Sequence, residues 1–295
     1  MHKARYNLLH LCLELSPRGP LLVKAGGISA DPSLPDMQFV RTFHPEQGET
    51  LYIPGSSLKG VVRSFVEKVL RTLDDSRSWR HACPTFADDP ASCARRLGKE
   101  ELPSYEIYRH SCGACRIFGH TRLRGRASFT DFLPRGEVRT EVRYGVAVSR
   151  LSHAVAQGPF EMEVAVAGTF AGQLVLENFE LWQLALLALA LESMERGLLK
   201  VGYGKNRGFG EVSVSVREVR LEEVAAGLDV AVWRGLGALV NGDEAARYGL
   251  SRDDRLDGLP QPSASEDLGI YVRRTYDAQR WAQVVPRLLA AIGAT

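Results

Sequence analysis

LYIPGSSLKGVVRSFVEKVLRTL, residues 51–73, is the stretch whose reading decides the fold. Leu58, Val61, Val62, Phe65, Val66, Val69, Leu70 and Leu73 recur at the spacing of a single helix face, so the segment predicts an amphipathic helix packed on something apolar. Pro54-Gly55 makes a turn ahead of it, and Ser56 or Ser57 is placed to cap its start. A helix N-terminus offers unpaired N–H groups and partial positive charge, which suit a phosphate. Lys59 and Arg63 lie one turn apart and could flank the same strand of a polyanion; equally, they are two surface cations on a capped structural helix.

The helix implies its partners. Upstream, YNLLHLCLEL (residues 6–15) alternates, with Leu9, Leu11, Leu13 and Leu15 on one face, as a half-buried strand does. Residues 16–50 form a long stretch rich in Gly, Pro, Asp and Ser, a length that is usually functional or disordered. Downstream, strand-like runs cover about 126–132, 138–149 and 160–176, followed by a helix from about Leu181 to Arg196 that is apolar nearly all round and therefore buried. Gly197 stops it, and a strand with alternating valines runs from Glu211 to Val216. Strand, helix, strands, helix, strand is the order of a ferredoxin-like α+β sandwich, the layout of RNA-recognition domains. Residues 1–221 read as that domain. Residues 222–295 read as a helical C-terminal extension, with 250–268 a polar linker and Pro286 a kink or break in the last helix.

Composition narrows the function. With 45% hydrophobic and 24% charged residues the chain can build a core and is not disordered as a whole. The net charge of +2 hides an uneven distribution: residues 109–150 carry nine arginines against Asp131, Glu137 and Glu141, whereas the tail from 222 is mildly acidic. A basic middle fits a polyanion partner, or a solvated arginine-rich surface. The longest apolar run, Leu184 to Leu191, is too short to span a bilayer, and the start shows no secretory cleavage site, so a cytoplasmic protein is expected.

Two further motifs carry chemistry. Cys83, Cys93, Cys112 and Cys115 end in a Cys-Gly-Ala-Cys knuckle, whose short turn aims both thiolates inward; a closed structural zinc site within about residues 75–120 is expected, with His81 or His110 able to replace one thiolate. Gly202, Gly204, Gly208 and Gly210 enclose Lys205, Asn206 and Arg207, a loop whose backbone and cations can approach phosphates; it follows a helix and opens a strand, unlike a dinucleotide-binding fingerprint, and a plain glycine-rich turn has the same composition. Asp31 and Asp36 lie in the long loop, where an aspartate is ordinarily a turn residue but can serve as a base or metal ligand. His44, His120 and His153 are scattered and form no nuclease pair.

Taken together, IPGSSLKGVVR (53–63), CGACRIFG (112–119) with RGRASFTDF (124–132), VAVSRLSHAVAQGPFEMEVAVAGTF (146–170) and GYGKNRGFGEV (202–212) resemble the RAMP superfamily of CRISPR proteins, specifically the type III backbone subunits, over roughly residues 6–216. The resemblance implies a modified RNA-recognition fold with an inserted thumb, here about 133–162, and subunits stacked along a guide RNA (crRNA) with further copies and other effector subunits. It implies guide contacts from Ser56, Ser57, Lys59, Arg63, Arg150, Gly202, Gly204, Lys205 and Arg207. PDMQFVR (35–41) is similar to the segment that holds the essential aspartate of cleaving members, which selects Asp36 and implies magnesium or another divalent cation for cutting the paired target RNA. A non-cleaving scaffold, and a nuclease that processes precursor guide RNA with His44 as nearest candidate, remain open at this stage.

Overall fold

The computed structural model describes residues 3–26, 33–74, 78–86, 88–98 and 101–293. Asp31 lies outside the described residues.

Leu9, Leu11, Leu13 and Leu15 alternate along the N-terminal strand, Asn7–Pro17, and are at most 3% exposed. That strand sits mid-sheet. Val212–Val224 pairs with it on one side and Phe170–Glu177 on the other, with Ala127–Phe129 beyond, all antiparallel. Numbered in chain order, these four strands lie 4-1-3-2, and helices Gly55–Leu73 and Leu181–Glu195 follow the first and third. This is the expected ferredoxin-like arrangement.

The apolar stripe read from residues 51–73 is the buried one: Leu58, Val62, Val66 and Leu70 are at most 2% exposed. The helix Leu181–Glu195 is buried on nearly every side, and Gly197 takes a left-handed φ of 72° at its end. Its start is held from two directions. Gln183 Oε1 accepts from Glu180 N at 3.2 Å, and Asp254 Oδ1, far along the chain, accepts from Leu181 N at 3.0 Å.

Two excursions leave this frame. The cysteine-bearing segment is inserted between the N-terminal helix and strand Ala127–Phe129. A two-stranded hairpin, Arg139–Val148 and Val155–Ala167, is inserted before Phe170–Glu177 and covers most of the range expected for the thumb. The single strand read over 160–176 is therefore two strands of different sheets, because Gly168 at φ 120° turns the chain between them.

The tail departs from expectation. It is not a purely helical extension, and 250–268 is not a plain linker. Tyr271–Asp277 pairs with Val212–Val224, and Ala264–Asp267 forms the new sheet edge. The final helix, Ala278–Gly293, runs continuously through Pro286 and packs beside the buried helix. Trp79 of the cysteine segment stacks on Trp182 at 4.0 Å, and Arg80 donates to Ile292 O at 2.7 Å, so the insertion is fastened to both helices. No described helix is long and apolar enough to cross a membrane.

Candidate metal centre and nucleic-acid interface

The four cysteines come from three short pieces. Cys83 lies in extended chain after the N-terminal helix, Cys93 opens the helix Cys93–Arg96, and Cys112 and Cys115 flank the start of Gly113–Phe118. Their sulfurs all lie within 4.8 Å of one another, and Cys83 Sγ is 3.8 Å from Cys115 Sγ. A tetrahedral ion with bonds of about 2.3 Å would place its sulfurs about 3.8 Å apart. Cys112 N donates to Cys93 Sγ at 3.3 Å and Cys115 N to Cys112 Sγ at 3.5 Å, as backbone amides do around thiolates. Gly113 is required at the knuckle, since a Cβ there would sit 2.3 Å from Trp79 O.

The crowded thiols do not share charge evenly. The Cys112 sulfur beside it drives the Cys83 thiol down, while contact with Cys112, Cys83 and Cys93 pushes the Cys115 thiol up. A divalent cation removes that conflict by letting all four ionise. Neither His81 nor His110 belongs to the group; His81 Nδ1 is 2.8 Å from Ser78 O. The site fits structural zinc with four cysteine ligands and no open position, which leaves the ion no catalytic role.

Arg63, expected on phosphate, has partners within the chain beside the cysteines. Its Nε donates to Glu67 Oε1 at 2.9 Å, its Nη1 to Gly119 O at 3.2 Å, and its Nη2 lies 3.9 Å from Cys115 Sγ. A zinc ion with four thiolates would carry two net negative charges, and this guanidinium would offset part of them.

The start of the N-terminal helix also differs from the sequence reading. Neither Ser56 nor Ser57 caps it. Pro54 is the cap position, and Asp131 Oδ1, brought in by the chain just past Ala127–Phe129, accepts from Gly55 N at 2.8 Å. Gly55 is forced by this approach, since a Cβ would lie 2.3 Å from Phe129 O. Ser56 is exposed in the first turn, Ser57 half-buried. The Lys59 ammonium is lowered by burial and then by Arg63 beside it.

The glycine-rich loop is built against residues 20–22. Tyr203 N donates to Leu22 O at 2.7 Å and Gly210 N to Pro20 O at 2.9 Å. Gly202 at φ 81° leaves no room for a side chain, its Cβ position being 2.2 Å from Leu22 O, and Gly204 at φ 70° starts the turn Lys205–Arg207. Lys205, Asn206 and Arg207 stand exposed on that turn. The Lys205 ammonium is lowered by partial burial and by Lys68 on the N-terminal helix, so helix and loop contribute to one basic patch. Sequence reading missed Lys68, whose only signal is its place on the exposed helix face.

Asp36 lies where the hairpin leaves the core. Its Oδ2 accepts from Glu161 N at 2.9 Å, Met37 N donates to Glu161 O at 3.0 Å, and Glu163 N donates to Met37 O at 2.8 Å. On this returning strand residues 155–159 are exposed and 162–165 buried. Arg150 is exposed in the turn at the hairpin's far end, and His44 is half-buried on the strand Arg41–His44, with its Nδ1 accepting from Glu46 N at 3.3 Å.

These groups do not touch one another, yet backbone bonds string them along one ribbon. Tyr203 bonds Leu22, Val40 N donates to Val23 O at 2.9 Å, and Tyr52 N donates to Val40 O at 3.3 Å, just ahead of the N-terminal helix. Loop, aspartate segment and helix start thus stand side by side.

A ferredoxin-like sheet with glycine-rich basic loop, protruding hairpin and cysteine insertion is a layout that RNA-recognition domains share. The profile of the RAMP superfamily matches residues 14–213, more than half of the chain, and the chain belongs to that superfamily. Membership carries a CRISPR-associated, RNA-binding role. No curated protein matches the sequence.

Proposed function

We propose that the protein is a guide-RNA-binding backbone subunit of a type III CRISPR effector, acting in the cytoplasm beside other effector subunits and further copies of itself, and that it cuts the guide-paired target RNA. The observation that carries this reading is the position of Asp36: an exposed carboxylate fixed by the Glu161 amide at the root of a hairpin that projects beyond the core. The hairpin's outer half, with Tyr144 68% and Leu151 97% exposed, offers apolar side chains to stacked bases. Ser56, Ser57, Lys59, Gly202, Gly204, Lys205 and Arg207 face the guide backbone, and Arg150 meets it at the hairpin tip. Arg63 supports the metal centre.

RNA cleavage needs an attacking oxygen activated and a leaving oxygen stabilised, chemistry that a magnesium or similar divalent ion supplies when held by a carboxylate. Asp36 contributes its outward oxygen to that purpose, while the Glu161 amide holds the other. The test is cleavage of a labelled complementary RNA in magnesium by complexes carrying Asp36 or Asp36→Ala. The native complex is expected to cut at regular intervals, and the variant to bind with unchanged affinity and cut at least about 100-fold more slowly. Equal cutting removes Asp36 from the mechanism; binding without cutting by both leaves a scaffold subunit.

A further inference from the structure

We infer that Glu163 and Arg41 form a latch that fixes the register of the Asp36 segment on the hairpin, making them positioning residues for cleavage; this rests on the reading of Asp36 above. Glu163 is 8% exposed, and a carboxylate so buried needs full compensation. It receives that entirely from the segment just after Asp36. Phe39 N donates to Oε2 at 3.1 Å, Arg41 Nη1 to Oε2 at 2.9 Å, and Arg41 Nη2 to Oε1 at 2.5 Å. The two arginine bonds make a charge-assisted fork, which fixes direction as well as distance.

The core side of the segment is already paired, Ala25 N donating to Gln38 O at 3.0 Å and Val40 N to Val23 O at 2.9 Å, so the fork matters on the side that faces the hairpin. Among the described residues, Asp36 meets the hairpin through its carboxylate on Glu161 N, and Met37 through one isolated bridge, with Met162, closed by its bonds to Glu161 O and Glu163 N, and not through a longer ladder. A slip of one residue in a strand-like contact turns every side chain to the opposite face. It would carry Asp36 from the Glu161 amide and point it away from the hairpin. The fork pins residues 39 and 41 to one position on the returning strand, and Phe39, stacked on Phe170 at 6.1 Å, closes the core beneath. An apolar pair in place of Arg41 and Glu163 could match the stability of the ion pair; what the pair adds is one permitted register.

The experiment uses the assembled complex with Glu163→Gln, the milder Arg41→Lys and Asp36→Ala. Guide and target binding, melting temperature, single-turnover cleavage and the magnesium concentration for half-maximal rate are each measured. Glu163→Gln keeps an acceptor for Phe39 and loses the charged fork. We expect cleavage to fall about 10- to 100-fold, half-saturating magnesium to rise, and binding and melting to hold. Arg41→Lys is expected to fall less, in the same pattern. If Glu163→Gln cuts like the native complex while Asp36→Ala does not, the latch is wrong and the Asp36 reading stands. If rate, binding and melting fall together in both latch variants with no change in magnesium dependence, the pair is only structural and the inference is overturned. If Asp36→Ala cuts normally, the reading beneath the latch has failed.

Discussion

The cysteine segment and the hairpin are both insertions into the same sheet frame, and they solve opposite problems. The cysteine segment has short helices and little regular core, yet it buries Cys93, Cys112 and Cys115 and closes on itself around four sulfurs. The hairpin pairs two long strands, with register shifts after Arg139 and between Gly145 and Val148, yet leaves Val142, Tyr144, Val146 and Val148 of one strand exposed. Strand pairing does not mean that a segment is complete, and irregular backbone does not mean that it is loose. A segment is complete when its polar and apolar groups have partners, and the hairpin lacks apolar ones among the described residues.

The sharpest way to break this contrast is to open the closed segment. Metal analysis of the native protein is expected to find one zinc per chain, and Cys115→Ser is expected to lose it. The substitution should also cost at least about 4 kcal/mol, roughly 10 °C or more in melting temperature, because the crowded thiols lose the cation that lets them ionise together. A native preparation that is folded and free of zinc would show that packing closes the segment without an ion.

A smaller effect comes from the tail, also on the self-satisfied side. Burial, with Glu180 nearby, raises Asp254 from 3.8 to about 7, although its oxygens accept from Leu181 N at 3.0 Å and Gly237 N at 3.4 Å. The folded chain thus holds a proton between those pH values that the unfolded chain has released. Stability from this group is greatest below pH 3.8 and is lost as pH climbs through about 7. Asp254→Asn should remove this component, on the order of 1–3 kcal/mol between pH 4 and 7, as read from urea unfolding of both proteins. Parallel pH profiles would refute the assignment.

The least effect on the fold, and a clear one on binding, is expected on the open side. Lys205→Ala with Arg207→Ala should leave melting within about 0.5 kcal/mol. It should weaken guide binding alike for all sequences and reduce the magnitude of the log affinity against log salt slope by roughly 1 to 1.5. An unchanged slope would place these cations away from phosphate.

Much of this was legible in the sequence because it is local. The stripe of Leu58, Val62, Val66 and Leu70, the alternation of Leu9 to Leu15 and the Cys-Gly-Ala-Cys knuckle each follow from spacing along a single element, and each lies where that spacing places it. The tail strands were hidden for physical reasons. ASED (264–267) is an edge strand with every residue exposed, so it shows no alternation. YVRRTYD (271–277) carries Arg274, which reads as a surface residue and is fully buried on Glu223, with further bonds to the carbonyls of Val230 and Val232.

By itself, then, the sequence determined the α+β sandwich, its two principal helices and the four cysteines that gather in one cluster. Periodicity and short-range turns specify these without reference to distant chain. Only the tertiary structure decided that Asp131 and not a serine holds the start of the N-terminal helix, that Arg63 serves the sulfurs, and that Glu163 and Arg41 grip the segment bearing Asp36. Each of those contacts joins residues more than 50 positions apart, and a charged side chain's partner is set by which distant groups the fold brings within reach of it, which no local pattern encodes.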